Sequence, residues 1–172
     1  MNATSIGSFT PDPRVPDGSA DPVFGPVQQG WVHGMWAIRN PALGVAHLTD
    51  GSRVVTPQGD GILSGSRGFL RRRSSDRHVD LDGHRFTLHH TSPWNAQFRR
   101  DGQAIGALRR RRIGSISRGG RITTYQVTWW AEPSDVTAAA VAHLLASKYR
   151  VGAPGIVANA CAAVTQPRRA FG

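Results

Sequence analysis

The sequence predicts a mainly β fold in which an antiparallel meander closes into a barrel around a hydrophobic C-terminal helix. Short runs of alternating apolar residues recur between residues 31 and 132, separated by turn dipeptides such as Asp82-Gly83 and Asp101-Gly102. Residues 136–147 then form a nearly all-apolar segment of helix-forming residues. A helix that is apolar on every side needs burial on every side. A β-sandwich with a packed C-terminal helix is the alternative fold.

The first thirty residues differ in composition from the rest. Residues 1–30 contain five prolines among many Asp, Gly and Ser residues, and they lack a periodic apolar pattern. A chain of this kind cannot bury enough apolar surface to become ordered. We therefore expect a disordered arm over residues 1–30 and a β-barrel domain over residues 31–155. An apolar run and a basic tail follow over residues 156–172.

The strands are expected to follow one another as hairpins. An Asp-Gly pair suits a type I′ turn because both central residues need positive φ angles. Within the β region such pairs occur at positions 50–51, 60–61, 82–83 and 101–102. A meander protects its edges by closing into a barrel or by packing as a sandwich. The expected strand segments are residues 34–40, 42–48, 53–56, 62–63, 78–81, 85–89, 96–99, 104–108 and 122–131.

The single predicted helix spans residues 135–148. Ser134 or Asp135 is a suitable N-cap, and the glycines and proline of residues 152–155 end the helical pattern. The glycine-rich residues 114–121 are expected to form a basic loop between the last two strands.

The net charge of +10 is concentrated in one segment. Residues 67–121 contain fourteen arginines against four aspartates, so this segment carries +10 and the rest of the chain is neutral in sum. Basic clusters attract phosphate groups, in nucleic acids or at an anionic membrane surface. Alternatively, the charges only protect exposed sheet edges. The chain has twenty arginines and one lysine; a GC-rich genome would explain this preference for arginine but not the clustering. The candidate anion-binding residues are Arg71, Arg72, Arg73, Arg109, Arg110, Arg111, Arg112, Arg118 and Arg121.

Composition and cysteine content exclude several classes of protein. No run approaches the roughly 18 apolar residues of a membrane-spanning helix, and residues 1–10 lack the pattern of a secretory signal. Cys161 is the only cysteine, which excludes a disulfide framework and fits a reducing compartment. We therefore expect a cytoplasmic protein, placed at the membrane periphery if its arginines bind lipid.

One cluster of polar residues resembles a set of metal ligands. His78, Asp80 and Asp82 alternate along a strand, so their side chains share one face, and imidazole and carboxylate groups are suitable ligands for a divalent metal. The same residues are ordinary on the polar outer face of a hairpin, and the sequence supplies no obvious further ligands. We assign no metal and no cofactor, and leave metal binding by these residues open.

The sequence does not indicate an enzyme. Cys161 lies in an alanine-rich run, where a buried thiol is expected. Glu132 is the only glutamate, so a Glu–Asp acid–base pair is hard to assemble. The chain also lacks a nucleophile elbow, a phosphate-binding glycine loop and a dinucleotide fingerprint. We assign no catalytic residue.

The tryptophans are candidates for contact with a partner. Trp129 and Trp130 are consecutive in a predicted strand, so one should face the core and the other solvent. An exposed tryptophan near arginines suits a lipid interface or a stacked base. Packing against the helix or a neighbouring loop is the alternative.

A longer pattern extends from residue 79 to residue 145. Its order is strand, Asp82-Gly83, strand, residues 94–98 (WNAQF), residues 101–106 (DGQAIG), an arginine-rich link, residues 125–127 (YQV) and the helix. This order resembles the tubby-like barrel superfamily, which includes the LURP-one-related proteins and the phospholipid scramblases. The resemblance covers less than half of the chain. It implies a non-catalytic antiparallel barrel around a buried C-terminal helix, in contact with phospholipid or phosphoinositide headgroups.

Three functions remain after these exclusions. The first is a non-enzymatic binding module whose arginine-rich face binds anionic phosphate groups. The phosphate groups that we expect first are phospholipid headgroups at a membrane surface. The second is a nucleic-acid-binding β domain, although the aromatic residues are not interleaved with the arginines as they are on an RNA-binding sheet. The third is a basic subunit of a larger assembly.

Overall fold

A computed structural model describes residues 8–14, 19–49, 52–65, 76–111, 124–130, 135–149 and 151–152. Twelve strands and one helix lie within these residues. The strands are β1 (Phe9–Pro11), β2 (Ser19–Asp21), β3 (Gly25–Val32), β4 (Met35–Asn40), β5 (Gly44–Thr49), β6 (Arg53–Thr56), β7 (Gly59–Ser64), β8 (Arg77–Leu81), β9 (His84–His90), β10 (Asn95–Arg100), β11 (Gln103–Arg110) and β12 (Tyr125–Trp129); the helix is α1 (Val136–Tyr149).

The strands form a closed barrel. From β3 to β12 each strand pairs antiparallel with the next one along the chain. The ring is completed by β2, which pairs antiparallel with β3 and parallel with β12, where Gln126 lies opposite Ala20. Eleven strands, β2 to β12, therefore make up the barrel, and β1 pairs with the far end of β3. The predicted mainly β fold and its closure into a barrel are confirmed.

Two of the predicted Asp-Gly turns have the expected backbone. Asp82 and Gly83 have φ angles of 51° and 76°, and Asp101 and Gly102 have 50° and 84°. Both residues of each turn thus occupy the left-handed region that a type I′ turn requires. A further turn of this type, which the sequence pattern does not single out, joins β3 to β4 at His33 and Gly34.

The other two Asp-Gly pairs behave differently. Asp60-Gly61 lies inside β7, and the chain turns earlier, at residues 57–58. The expectation of a turn at 60–61 is wrong because Asp60 and Gly61 pair with β6 across that earlier turn. Asp50-Gly51 lies outside the described residues.

The helix α1 is surrounded by the barrel. Asp135 caps it, since its Oδ1 accepts a hydrogen bond of 3.1 Å from the Ala138 amide. Nine consecutive residues, 138–146, are at most 1% exposed. Successive residues of a helix point in all directions around its axis, so every side of α1 is covered. Strands β4, β5, β6 and β9 all contact it. The expected range of 135–148 differs from the observed one by a single residue at each end.

The interior of the barrel is filled by small helix residues and larger strand residues. Five of the nine buried helix positions are alanine and a sixth is valine, so strand side chains approach the helix backbone closely. Phe86 and Phe98 stack with ring centroids 5.9 Å apart, and Trp129 meets Phe98 edge-on at 6.5 Å. An eleven-stranded barrel is wide enough for a central helix, and the alanines make this helix narrow enough to fit.

The prediction of a disordered arm over residues 1–30 is wrong for the part that the structure describes. Residues 8–14 and 19–30 contain β1, β2 and most of β3, and Val27 is fully buried. The prolines do not prevent this, because Pro11 ends β1 and Pro26 stands near the start of β3, where strands tolerate proline. Residues 1–7, 15–18 and 156–172 lie outside the described part of the chain.

Candidate anion-binding site

Several of the candidate arginines lie at one end of the barrel, which we call the arginine rim. Because neighbouring strands run in opposite directions, this end contains the last residues of β7, β9 and β11 and the first residues of β8, β10 and β12. The arginine rim is defined by Ser64, Arg77, His90, Asn95, Arg110 and Tyr125.

Three of the candidate arginines lie on this rim at the end of β11. Arg109 points outward between Asn95 of β10 and Gln126 of β12 and is exposed, and Arg111 is exposed as well. Among the described residues, neither Arg109 nor Arg111 has a hydrogen-bonding or ion-pairing partner for its guanidinium. Their charges are therefore available to a ligand.

Arg110 holds an aromatic side chain at the same place. Its guanidinium carbon lies 5.4 Å from the centre of the Trp94 ring, and its backbone amide donates to the Trp94 carbonyl oxygen at 2.8 Å. Trp94 is 43% exposed despite these contacts. The rim thus presents an indole ring stacked on the Arg110 guanidinium, with exposed Arg109 and Arg111 one residue before and one residue after Arg110.

The remaining candidate residues, Arg71, Arg72, Arg73, Arg112, Arg118 and Arg121, lie outside the described residues. The described chain stops at Gly65 and resumes at Asp76, and it stops again at Arg111 and resumes at Thr124. All four of these points are at the arginine rim. Strands β8 and β11 are three strand spacings apart, or about 14 Å. The described residues that flank both arginine clusters therefore lie at one end of the barrel.

Other arginines of the basic segment have partners within the structure. Arg85 binds Asp80 at 2.7 Å, Arg100 binds Asp135 at 3.0 Å, and the guanidinium of Arg77 lies 4.9 Å from the centre of the Tyr149 ring. Hydrogen bonding to Arg85 lowers the pKa of Asp80, as expected for a carboxylate with a cationic partner. These arginines contact other side chains of the folded protein, which distinguishes them from Arg109 and Arg111.

Two cavities lie beside the N-terminal strands, and the smaller one is at the seam between β2 and β12. A cavity of about 320 Å³ is lined by Arg111, Thr124 and Tyr125 on one side and by Ala20, Asp21 and Pro26 on the other. A wider groove of about 770 Å³ lies on the outer face of β3 to β5 and includes Arg39. Arg39 donates hydrogen bonds to Gln28, and its guanidinium carbon lies 4.9 Å from the centre of the Phe9 ring. The guanidinium of Arg39 is therefore less available to a ligand than that of Arg111 in the smaller cavity.

A buried polar network lies behind the smaller cavity. His143 of α1 is fully buried, and its Nε2 lies 2.7 Å from Asp21 Oδ2 on β2. Trp129 of β12 donates its indole N–H to the same oxygen at 3.0 Å. The Tyr125 hydroxyl lies 2.9 Å from His143 Nδ1 and 3.1 Å from the His143 carbonyl oxygen. Three elements that meet at the barrel seam are therefore linked through Asp21 and His143.

The network keeps Asp21 ionised. Burial alone would raise the pKa of Asp21, but hydrogen bonds from His143 and from the Val23 and Phe24 amides outweigh it and lower the pKa. Because an ionised carboxylate only accepts hydrogen bonds, His143 carries a proton on Nε2. Burial raises the pKa of Tyr125 well above its ordinary value, so its hydroxyl remains a donor.

The sequence pattern did not predict this network. His143 interrupts the apolar helix, and a histidine at the centre of an otherwise apolar helix is a signal for a buried polar partner. Its partner could not be identified because Asp21 falls in the segment expected to be disordered.

The side chains of the candidate metal ligands around His78 contact other protein side chains. His78, Asp80 and Asp82 do share the outer side of β8 and its turn, but His78 contacts Thr87 at 3.0 Å and Asp80 binds Arg85. His84 binds Asp101 at 2.7 Å. Within the described ranges no three histidine, cysteine, aspartate or glutamate side chains come together as metal ligands.

The expected division between the two consecutive tryptophans is confirmed. Trp129 packs against the core and binds Asp21, whereas Trp130 is 54% exposed. Trp31 and Trp36 pack edge-to-face at 5.6 Å, and Trp36 donates to the Ser147 hydroxyl of α1 at 2.9 Å.

No family model matches the chain, and no curated protein or solved structure is detectably similar to it. The resemblance to the tubby-like superfamily therefore stays a prediction. In the part of the chain that the structure describes, no helix is both long enough and apolar enough to span a bilayer.

Proposed function

We propose that this protein is a non-enzymatic binding module whose arginine rim docks phospholipid headgroups at an anionic membrane surface. The observation that carries the proposal is that Arg109 and Arg111 are both exposed and without partners in the described residues, on either side of Arg110, which stacks on the exposed ring of Trp94. The architecture expected for a tubby-like barrel supports the same function.

The physical basis is the combination of charge and an amphipathic ring. Each arginine near an anionic leaflet contributes about 1 kcal/mol of attraction. Tryptophan favours the headgroup region because its ring is apolar and its N–H is polar. The stacked guanidinium of Arg110 holds Trp94 at the rim, so the ring and the charges can meet the same surface together.

Nucleic acid is a less suitable partner for this rim. Proteins that bind single strands without sequence preference usually stack successive bases on several aromatic side chains along a basic groove. In the described part of the rim, Trp94 is the exposed aromatic residue close to the arginines, while exposed Trp130 follows the opposite end of β12. A single ring among clustered arginines suits a lipid interface better than a strand of bases.

Vesicle co-sedimentation tests the proposal. Wild-type protein should sediment with vesicles that contain phosphatidylserine and remain in solution with phosphatidylcholine alone. The double variant Arg109→Gln/Arg111→Gln should bind the anionic vesicles about 30-fold more weakly, because it loses about 2 kcal/mol of attraction. The matched control is Arg39→Gln/Arg85→Gln, which removes the same charge near the opposite end of the barrel and should bind within a few-fold of wild type.

Equal binding to neutral and anionic vesicles would disprove the proposal, and so would equal losses in the two double variants. Tryptophan fluorescence adds a second readout. A blue shift on vesicle binding should be present in wild type and reduced in Trp94→Phe. Retardation of single-stranded DNA at salt concentrations that abolish vesicle binding would favour the nucleic-acid alternative.

A further inference from the structure

We propose that the cavity between β2 and β12 is a specific pocket for a phosphate monoester of a small alcohol, with Arg111 as its anion-binding residue. The inference rests on the proposed function, which it refines from a charged surface to one defined pocket. The cavity has a volume of about 320 Å³, at the lower end of the range for ligand pockets. That volume suits a phosphate with a short polyol better than a nucleotide.

The charge of the cavity comes from Arg111. Asp21 also lines the cavity, but its side chain is fully buried and both of its oxygens accept hydrogen bonds within the protein. Oδ1 accepts the Val23 and Phe24 amides, and Oδ2 accepts from His143 and Trp129. Hydrogen bonds within the protein therefore compensate the Asp21 carboxylate, and the exposed guanidinium of Arg111 is the cationic group that lines the cavity.

The geometry places two donors where a phosphoryl group can meet them. The Arg111 amide donates to the Thr124 carbonyl oxygen at 2.8 Å, which holds the two residues side by side across the ends of β11 and β12. The Thr124 hydroxyl makes no hydrogen bond within the described residues. A guanidinium binds two phosphate oxygens at once, and the hydroxyl can donate to the third.

The opposite wall provides space for the alcohol part of the ligand. It consists of Ala20 and Pro26, which are exposed on the outer side of paired β2 and β3. Their small, rigid side chains leave the cavity open. A larger side chain at position 20 would fill it without changing any charge, which makes that position a suitable test.

Titration calorimetry with glycerol 3-phosphate tests the pocket directly. Arg111→Gln should lower the affinity about tenfold or more, as expected for the loss of charge-assisted hydrogen bonds. Arg109→Gln removes the same charge two residues before Arg111, outside the lining of the cavity, and should keep the affinity within about twofold. Ala20→Leu should lose binding while keeping its urea unfolding midpoint, which separates a filled pocket from an unfolded protein.

Vesicles distinguish the two sources of the ligand. Phosphatidic acid presents a phosphate monoester and phosphatidylglycerol a diester, so a pocket that binds lipid should prefer phosphatidic acid, and Ala20→Leu should abolish the preference. Suppose that glycerol 3-phosphate binds through Arg111 but the protein binds no vesicle. The pocket proposal is then supported for a soluble ligand, and the membrane proposal is disproved. Suppose instead that the protein binds vesicles, but that glycerol 3-phosphate does not bind, or that Arg109→Gln and Arg111→Gln lower its affinity equally. The pocket proposal is then disproved, and the proposal of a membrane-binding surface is supported.

Discussion

His143 Nε2 lies 2.7 Å from Asp21 Oδ2, although the two residues are 122 positions apart in the sequence and both side chains are fully buried. This contact joins the central helix to β2, the strand that closes the barrel. Trp129 on β12 shares the same carboxylate oxygen. The seam between β2 and β12 is thus held by side chains, in addition to one pair of facing residues, Gln126 and Ala20.

Asp21→Asn should destabilise the protein by about 3 kcal/mol, because it replaces a buried carboxylate whose oxygens accept hydrogen bonds from His143, Trp129 and two backbone amides. An amide at this position would also direct N–H donors toward His143 or Trp129. Urea unfolding followed by circular dichroism measures the change. Asp80→Asn is the matched control, since its pair with Arg85 is exposed and should be worth less than about 1 kcal/mol. Equal losses in the two variants would contradict the importance of the network.

The network also predicts how stability depends on pH. The pKa of Asp21 is lower in the folded protein than its ordinary value of 3.8. Between these two pKa values the folded state therefore binds fewer protons than the unfolded state. Its contribution is therefore complete above pH 3.8 and is lost as the pH falls through the folded pKa. Unfolding free energies measured from neutral pH to pH 3 should fall less steeply in Asp21→Asn than in wild type. Parallel curves would show that Asp21 is not responsible.

Tyr125→Phe should cost about 1–2 kcal/mol, because it removes the hydroxyl that contacts His143 at Nδ1 and at the carbonyl oxygen. A double-mutant cycle with Asp21→Asn should give a coupling energy of at least about 0.5 kcal/mol, since both residues act on the same imidazole. Additive losses would mean that Tyr125 and Asp21 stabilise the barrel independently.

Gly152→Ala should destabilise more than Gly83→Ala, although both glycines have similar positive φ angles of 83° and 76°. An added Cβ at Gly83 meets nothing, so its cost is the left-handed conformation alone, about 1–2 kcal/mol. At Gly152 the Cβ would overlap the Pro93 carbonyl group and the Trp94 amide, which adds about 1–3 kcal/mol. Thermal unfolding of the two variants compares them, and equal melting temperatures would refute the close contact.

The central fold was predictable because its signals are local. The turns at Asp82-Gly83 and Asp101-Gly102 depend on the left-handed preference of those two residues, and the N-cap at Asp135 depends on a side chain three positions from its amide partner. The burial of α1 followed from its uniform apolar character. None of these features requires knowledge of distant residues.

The N-terminal strands and the buried network were not predictable for the opposite reason. Strands β1 and β2 have three residues each, too few for an alternating pattern, and their order comes from pairing with β3. Asp21 looks like a loop residue until His143 is placed beside it. For the candidate site, the sequence indicated the arginine clusters, but the free state of Arg109 and Arg111 and the cavity at Ala20 depend on neighbours contributed by other strands.

The closing contact between β2 and β12 has a consequence for how the chain folds. A ribosome synthesises β2 long before β12 and α1, so Asp21 lacks its partners Trp129 and His143 until most of the chain has emerged. The helix must also enter before the ring can close, because nine of its residues have no other place to be buried. Pairing across such a separation makes closure slow compared with the hairpins. We expect hairpin formation to precede a late, cooperative step in which the helix docks and β2 and β12 meet around it.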